Sequence, residues 1–141
     1  TLADSKIREK IVRAPAAKTI HHAYVGGLLE HILSICQIMD FLSVHYKFLN
    51  RDLLIFGAIF HDLGKIRELD LTQGIQYTDE GRLVGHMGIA LEIIDEKIRD
   101  IPQFPNTLYL AIMVDLNMDR QNVQNFWKPL LFPWLTSWTV V

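Results

Sequence analysis

The sequence predicts an all-α protein folded as a bundle of helices. Apolar residues recur at steps of three and four between Leu28 and Tyr46, which is the period of a helix with one buried face. The stretch from Arg51 to Leu63 is apolar on almost every side, and another periodic segment begins at His86. Helices of this kind bury their apolar faces by packing against one another, which gives a bundle.

The composition indicates one globular domain. The chain has 141 residues, of which 50% are apolar and 21% charged. No apolar run is expected to reach the length of a transmembrane helix, so no membrane partner is expected. The net charge of -2 gives no overall attraction to nucleic acid, although a local basic patch could still bind a phosphate backbone. A single cysteine, Cys36, favours a reducing, cytoplasmic compartment.

Two helices are predicted in the first third of the chain. The first covers about Leu2 to Val12, and Pro15 interrupts its pattern. The second runs from Leu28 to Tyr46, and His31 is predicted to face inward with Leu28, Ile35 and Ile38. The apolar face of the second helix consists of Leu28, Ile32, Ile35, Met39 and Leu42.

The middle of the chain predicts a central buried helix followed by a loop. The helix covers Arg51 to Leu63, and Gly64 stands where a left-handed C-terminal cap is expected. The polar stretch from Lys65 to Gly85 predicts a long loop, with a small hairpin through Ile75 and Tyr77. A further helix begins at His86 and ends before Pro102. Its inward residues are Ile89, Ala90, Ile93 and Ile94.

A polar cluster ends the predicted central helix. In the segment from Gly57 to Lys65, apolar residues give way abruptly to His61, Asp62 and Lys65. Imidazole and carboxylate side chains at a helix end can converge on one divalent transition metal. A single inward histidine is more often a hydrogen-bonded core residue. Here, however, His31, His61 with Asp62, and His86 occur on three predicted helices.

These residues resemble the HD superfamily of metal-dependent phosphohydrolases. The segments that carry the resemblance are PAAKTIHHAYVGGLLEH (Pro15 to His31), LNRDLLIFGAIFHDLGKIREL (Leu49 to Leu69) and YTDEGRLVGH (Tyr77 to His86). They are most similar to the HD domain of YhaM-type 3′–5′ exoribonucleases, over Ala14 to Pro105. The resemblance refines the predicted fold to an HD-domain helical bundle.

The resemblance implies a set of metal ligands. His31, His61 and Asp62 would bind a divalent ion (Mn, Fe, Co, Ni, Zn or Mg), and His86 would belong to a second-metal set. Such an ion lowers the pKa of its bound water and polarises the phosphoryl oxygen. Asp62 and Lys65 are therefore the predicted catalytic residues, Lys65 by stabilising charge on the phosphate. Lys65 could equally be a solvated cation at a helix C-terminus.

Further residues beside these motifs are candidates for binding substrate. His21 and His22 precede a pair of glycines and could reach the site, although loop histidines are more often solvated. Arg67 and Arg82 have the charge that a phosphate requires, although each would be an ordinary surface residue in most folds. The predicted substrate-binding residues are His22, Lys65, Arg67 and Arg82.

The tail from Asn106 to Val141 differs from the rest of the chain. It holds all three tryptophans and four of the five asparagines, and no histidine follows His86. The resemblance implies a Ser-His-His-Gly segment and a distal aspartate here, and neither is present. If each codon is started one nucleotide earlier, Asn106 to Val114 can encode KHLILSHHG, and the region near Trp134 to Thr139 can encode LVDELDS. We therefore hypothesise a reading-frame change near Asn106, and Asp115 or Asp119 as substitute ligands.

The sequence thus divides into an HD-type domain at 1–105 and an atypical tail at 106–141. The expected function is metal-dependent hydrolysis of a phosphodiester, by trimming 3′ ends of single-stranded RNA or DNA when joined to an OB-type binding module. A nucleotide phosphohydrolase and a non-catalytic regulatory domain with an incomplete metal site are the alternatives. Because the chain begins with Thr1, we expect an excised piece that lacks an N-terminal module. A homo-oligomer is also possible.

Overall fold

The computed structural model describes residues 2–19, 22–72 and 74–117, which are predominantly helical and confirm the all-α prediction. Two short strands, β1 (Leu69–Asp70) and β2 (Gln76–Tyr77), pair antiparallel with Leu69 opposite Tyr77. The helices are α1 (Ser5–Arg13), α2 (Gly27–His45), α3 (Arg51–Phe60), α4 (Lys65–Glu68), α5 (Asp79–Leu83), α6 (Gly85–Arg99) and α7 (Asn106–Asn117).

Polar side chains fix where several helices begin. The Asp4 carboxylate accepts hydrogen bonds from the backbone amides of Lys6 and Ile7 and so starts α1. Asn50 caps α3 in the same way, and the Thr78 hydroxyl accepts from the Gly81 amide at the start of α5. Each cap satisfies backbone donors that have no partner inside the helix. The starts of α1 and α3 are therefore determined by the residue that directly precedes each helix.

The core lies where α6 packs against the start of α2 and the turn after α3. Leu28, Leu63 and Ile89 have no solvent exposure. The predicted inward face of α6 is confirmed, since its buried residues are Ile89, Ala90, Ile93 and Ile94. Burial of four apolar side chains on one helix contributes on the order of 1.5–3 kcal/mol for each large side chain. Helix α6 is therefore the main apolar support of the described fold.

Two details of the predicted core are wrong. Helix α3 ends at Phe60, and only Leu54 and Ala58 on it are fully buried, so it is not the central buried helix. Ile38 of α2 is 50% exposed, because the buried side of α2 is set by Leu28 and Ile32 near its start. An apolar composition on all sides did not reveal which side of each helix faces the core.

The segment from Lys65 to Gly85 contains more structure than the predicted loop. The predicted hairpin is confirmed, with β2 at Gln76–Tyr77. It is flanked by α4 and α5, which have only four and five residues. Helices this short do not complete two turns, so they leave no periodic pattern to detect.

Gly64 has a different role from the one predicted. Its φ of -62° and ψ of -17° are right-handed helical values, so the prediction of a left-handed cap is wrong. A Cβ atom at this position would lie only 1.8 Å from the His86 carbonyl oxygen. Gly64 is therefore required because the backbone at the start of α6 packs directly against it. This contact brings His86 to the polar cluster after α3.

Helix α2 is long and apolar enough to cross a membrane by length and composition, so the expectation that no apolar run reaches this length is wrong. In the structure, α2 packs against α1 and α3 and buries Leu28 and Ile32. The polar residues Glu30, His31 and Asp40 interrupt its sequence, which is why the run does not stand out.

Helix α7 covers the first twelve residues of the tail and packs against α6. Its Ile112 is buried and joins the core. The side chain of Asp115 and all residues from 118 onward, including Asp119 and the tryptophans, lie outside the described part of the structure, as does His21. The proposed substitute ligands and the reading-frame hypothesis therefore remain predictions.

Replacing Gly64 by alanine should destabilise the fold, because the new methyl group must displace the backbone at His86. We expect a loss of about 1–3 kcal/mol in the free energy of unfolding, as for other overpacked positions. Urea denaturation followed by circular dichroism measures it. Gly88→Ala is the matched control, since its Cβ would meet only the Val84 side chain. Equal stability of the two variants would contradict the packing argument.

Candidate metal centre

A tight turn presents two consecutive polar side chains at the end of α3. The His61 amide donates to the Gly57 carbonyl and continues the helical pattern. The Leu63 amide then donates to Phe60 and the Lys65 amide to Asp62, which closes the turn into α4. Leu63 is fully buried and anchors the turn in the core. His61 and Asp62 are thereby held at the helix end, facing α2.

Three donor atoms form an almost equilateral triangle at this position. The Nε2 atoms of His31 and His61 are 3.3 Å apart, and each is 3.3 Å from Oδ2 of Asp62. The centre of such a triangle is about 2 Å from every corner, which matches metal distances to histidine nitrogen and carboxylate oxygen. Residues from two separate helices thus converge on one point, as predicted.

Hydrogen bonding prepares His61 to bind a metal. Its Nδ1 lies 3.0 Å from the Ala58 carbonyl oxygen, which can only accept, so Nδ1 carries the proton. When the ring is neutral, Nε2 then keeps its lone pair, which faces the triangle. Metal-ligating histidines are usually oriented by such a bond from the other ring nitrogen. Donor type, distance and tautomer therefore all fit a divalent transition metal.

Asp62 supplies a permanent negative charge to the cluster. Burial raises the cost of ionising this carboxyl group, but hydrogen bonding with His61 and the adjacent Lys65 ammonium outweigh it and hold its pKa well below the usual range. Lys65 Nζ lies 2.8 Å from Oδ2. Because Asp62 is only 4% exposed, its charge is weakly screened by water. It is therefore ionised at neutral pH, where it can attract a cation.

His86 reaches the opposite oxygen of the same carboxylate. Its Nε2 lies 3.6 Å from Oδ1 of Asp62, and its Nδ1 lies 3.1 Å from Oε1 of Glu68. The same Glu68 oxygen accepts from the His86 backbone amide. Glu68 is buried beside Gly81, where a Cβ atom would lie 2.4 Å from the Glu68 carbonyl oxygen. Glu68 thus orients His86 toward Asp62.

This role of Glu68 was not predicted from the sequence. The residue lies in the short helix α4, outside the HD motif, and was part of the predicted loop. A signal does exist in retrospect: a carboxylate close to a metal-binding motif that is followed by glycines at turn positions. Buried carboxylates behind histidines are common at metal sites.

His22 lies on the loop before α2, near the cluster. Its ring is 5.8 Å from that of His31, and its Nδ1 lies 2.9 Å from the Tyr24 hydroxyl, which donates to Glu30. The backbone of His22 has a φ of 52°, which is rare for residues other than glycine. Gly27 permits this fold of the loop, because a Cβ there would lie 2.0 Å from the His22 carbonyl oxygen. The contact of Tyr24 with His22 was not predicted from the sequence.

The other predicted substrate residues have different surroundings. Lys65 is largely buried and contacts Asp62. Arg67 forms ion pairs with Glu80 and Glu92 and so links α4 to α5 and α6. Arg82 is exposed, and no carboxylate pairs with it within the described residues. The structure thus brings His31, His61, Asp62, Lys65 and His86 together, places His22 at the edge and leaves Arg82 facing solvent.

Comparisons with known proteins agree with this geometry. The family model for the HD domain matches residues 28–120, more than half of the chain. Among curated proteins, the 3′–5′ exoribonuclease YhaM of Listeria welshimeri is 41% identical over 95 residues, covering 67% of this chain and 30% of that protein. YhaM of Geobacillus sp. is 43% identical over 86 residues, covering 61% of this chain and 26% of that protein. No solved structure matches the chain.

Replacing Asp62 by alanine should abolish tight metal binding while the helices persist, because the residue lies at a helix end. We expect at least a 10- to 100-fold loss of affinity for Mn²⁺ or Zn²⁺ by isothermal titration calorimetry. Asp62→Asn, which keeps the side-chain volume, should lose affinity similarly. Asp40→Ala, which removes an exposed carboxylate of α2, is the control. Unfolding of both Asp62 variants would indicate a structural ion pair instead.

Metal affinity should fall as the pH is lowered, because protonated imidazole cannot ligate. Burial favours neutral His61, but the Asp62 carboxylate outweighs it and raises the pKa of His61. Burial lowers the pKa of His31. As the pH is lowered, protons therefore compete with the metal first at His61. The metal affinity should begin to fall at a pH above the ordinary histidine pKa of about 6.5. Chelator competition between about pH 5.5 and 8.5 tests this. A flat profile would show that His61 is not a ligand.

Proposed function

Because the chain belongs to the HD domain family, we propose that it forms the catalytic domain of a metal-dependent phosphohydrolase that acts as a 3′–5′ exoribonuclease. The observation that carries the proposal is the triangle of His31 Nε2, His61 Nε2 and Asp62 Oδ2. HD domains bind divalent metals, and these donors fit such an ion. The similarity to YhaM proteins supports a nucleic acid as the substrate.

The side chains around the triangle suit hydrolysis of a phosphate ester. A bound divalent ion supplies a Lewis acid and a water molecule of lowered pKa. Lys65 places a positive charge beside Asp62, where it can stabilise negative charge on a phosphate. Asp62 directs Oδ2 to the triangle and Oδ1 toward His86, so Asp62 and His86 would help to hold a second ion if one were bound. Glu68 keeps His86 in the orientation that this requires.

The chain spans less than a third of the length of the YhaM relatives that it matches. Substrate choice and strand binding can therefore depend on parts of a longer protein. We propose that an OB-type module in the same polypeptide holds the single strand and that this domain hydrolyses the terminal phosphodiester. The cytoplasm is the proposed location, in line with the single free cysteine.

A second candidate function is a non-catalytic binding domain. The observation that favours it is the absence of any histidine after His86 in the sequence. With few ligands, an ion is held weakly and its water is poorly aligned for attack. The nucleotide sequence downstream of Pro105 tests whether a reading-frame change removed the Ser-His-His-Gly segment and the distal aspartate.

The decisive experiment compares the chain as it stands with a version in which those segments are restored. We expect the restored version to degrade single-stranded RNA from its 3′ end, and the present chain to be slower by on the order of 100-fold or more. The restored version carrying His61→Ala is the control and should be inactive. If the present chain is as fast as the restored version, the tail supplies its own ligands and the account of the incomplete site is wrong. If neither is active, the domain is a binding module.

A further inference from the structure

Positive charge is concentrated at the start of this acidic protein. Residues 1–19 contain five lysines and arginines but only two carboxylates, a net charge of +3. The remaining residues contain nine lysines and arginines and fourteen carboxylates, a net charge of -5. One of the two N-terminal carboxylates, Asp4, is paired with Lys97. The basic segment is therefore a local feature that the overall charge of -2 conceals.

Three of these cations border a groove between α1 and the α4–β1 segment, with a volume of about 440 Å³. Lys6, Lys10 and Arg13 are spaced by four and three residues, so they lie along one side of α1 over about 10 Å. All three are exposed, and none forms an ion pair with another described residue. Within the part of the chain that the structure describes, they therefore have no carboxylate partner to displace before binding an anion.

The floor of the groove is apolar. It includes Pro15, Ile66 and Leu69, of which Pro15 and Leu69 are buried. Two carboxylates, Glu9 and Asp70, also line the groove. Asp70 already accepts hydrogen bonds from the Thr72 amide and hydroxyl. A cationic rim over an apolar floor matches a ligand with phosphates along one edge and flat apolar groups along the other.

The hairpin beside the groove adds a fourth cation and an aromatic ring. Lys18 Nζ lies 3.1 Å from the Gln76 side-chain oxygen and 5.9 Å from the centre of the Tyr77 ring. Gln76 is the register partner of Asp70, so this pair lies next to the groove. Tyr77 is exposed. Exposed aromatic rings among cations are typical of surfaces that bind single-stranded nucleic acid.

The groove shares structural elements with the metal centre. Ile66 on its floor directly follows Lys65, which contacts Asp62. At the other side, the Arg13 carbonyl accepts from the Gly26 amide, in the loop that carries His22. A nucleic-acid strand bound along α1 would therefore run from Lys6 past Arg13 toward the loop that carries His22.

We propose that this groove binds single-stranded nucleic acid just upstream of the terminal nucleotide held at the metal centre. The identity of the ligand rests on the proposed function, whereas the location rests on the groove itself. Lys6, Lys10 and Arg13 contact successive phosphates, and the apolar floor receives the bases. The domain thereby contributes to strand binding through its own N-terminal helix.

The test measures binding of a fluorescent single-stranded RNA oligonucleotide to the full chain by anisotropy, in EDTA and at several salt concentrations. The variant Lys6→Gln/Lys10→Gln/Arg13→Gln should bind about tenfold more weakly, and its salt slope should fall by about 2, since each phosphate contact contributes about 0.7 on single strands. The control Arg8→Gln/Lys47→Gln/Arg99→Gln removes the same charge outside the groove and should bind like the wild type. Circular dichroism verifies that both variants are folded.

Two outcomes would overturn the proposal: unchanged binding by the groove variant, or an equal loss in the control, which would show attraction by bulk charge alone. Polyglutamate that competes as well as RNA would assign the groove to an acidic peptide instead. If the groove variant does not fold, crosslinking of thiouridine-labelled RNA to the wild type shows which segments contact the RNA. Crosslinks within 6–18 or 66–71 support the groove, and crosslinks confined to other segments refute it. Because binding is measured without hydrolysis, an inactive restored enzyme would refute the proposed function and leave the groove proposal intact.

Discussion

The buried carboxylate of Asp62 is the constraint around which the candidate site is organised. A carboxylate excluded from water costs several kcal/mol unless cations or donors surround it. Its partners come from three directions: His31 from α2, Lys65 from α4 and His86 from α6. The packing of these helices is therefore coupled to the charge at their meeting point. A divalent ion at the same point would itself offset part of the cost of burying the Asp62 charge.

Close backbone contacts at glycines make that convergence possible. Gly64 admits the backbone of His86, and Gly27 admits that of His22, at distances that no side chain would allow. Gly81 does the same beside Glu68. Close backbone packing at these positions, rather than chain flexibility, explains why glycines flank the polar motifs. Gly64 thereby brings the His86 backbone close to the turn that carries Asp62.

Much of the fold was predictable because long helices have a readable period, as the inward face of α6 illustrates. His61 and Asp62 were predictable because polar residues at the end of an apolar helix require partners, whereas the ligand set with His31 and His86 was implied by the resemblance to the HD superfamily. Glu68 and Tyr24 were not predictable, since each acts through a histidine and belongs to no motif. The pairing of Arg67 with Glu80 and Glu92 also depends on tertiary contacts that no local pattern encodes.

X-ray absorption spectroscopy of the cobalt- or zinc-loaded chain can show whether His31, His61 and Asp62 jointly bind one divalent ion. We expect nitrogen and oxygen ligands at about 2.0–2.2 Å from the metal, with the outer-shell scattering of two imidazole rings. Substituting glutamine for His31 should remove the contribution of one ring. A shell of oxygen atoms without imidazole scattering would show that the metal binds elsewhere and that these three residues do not form the metal site.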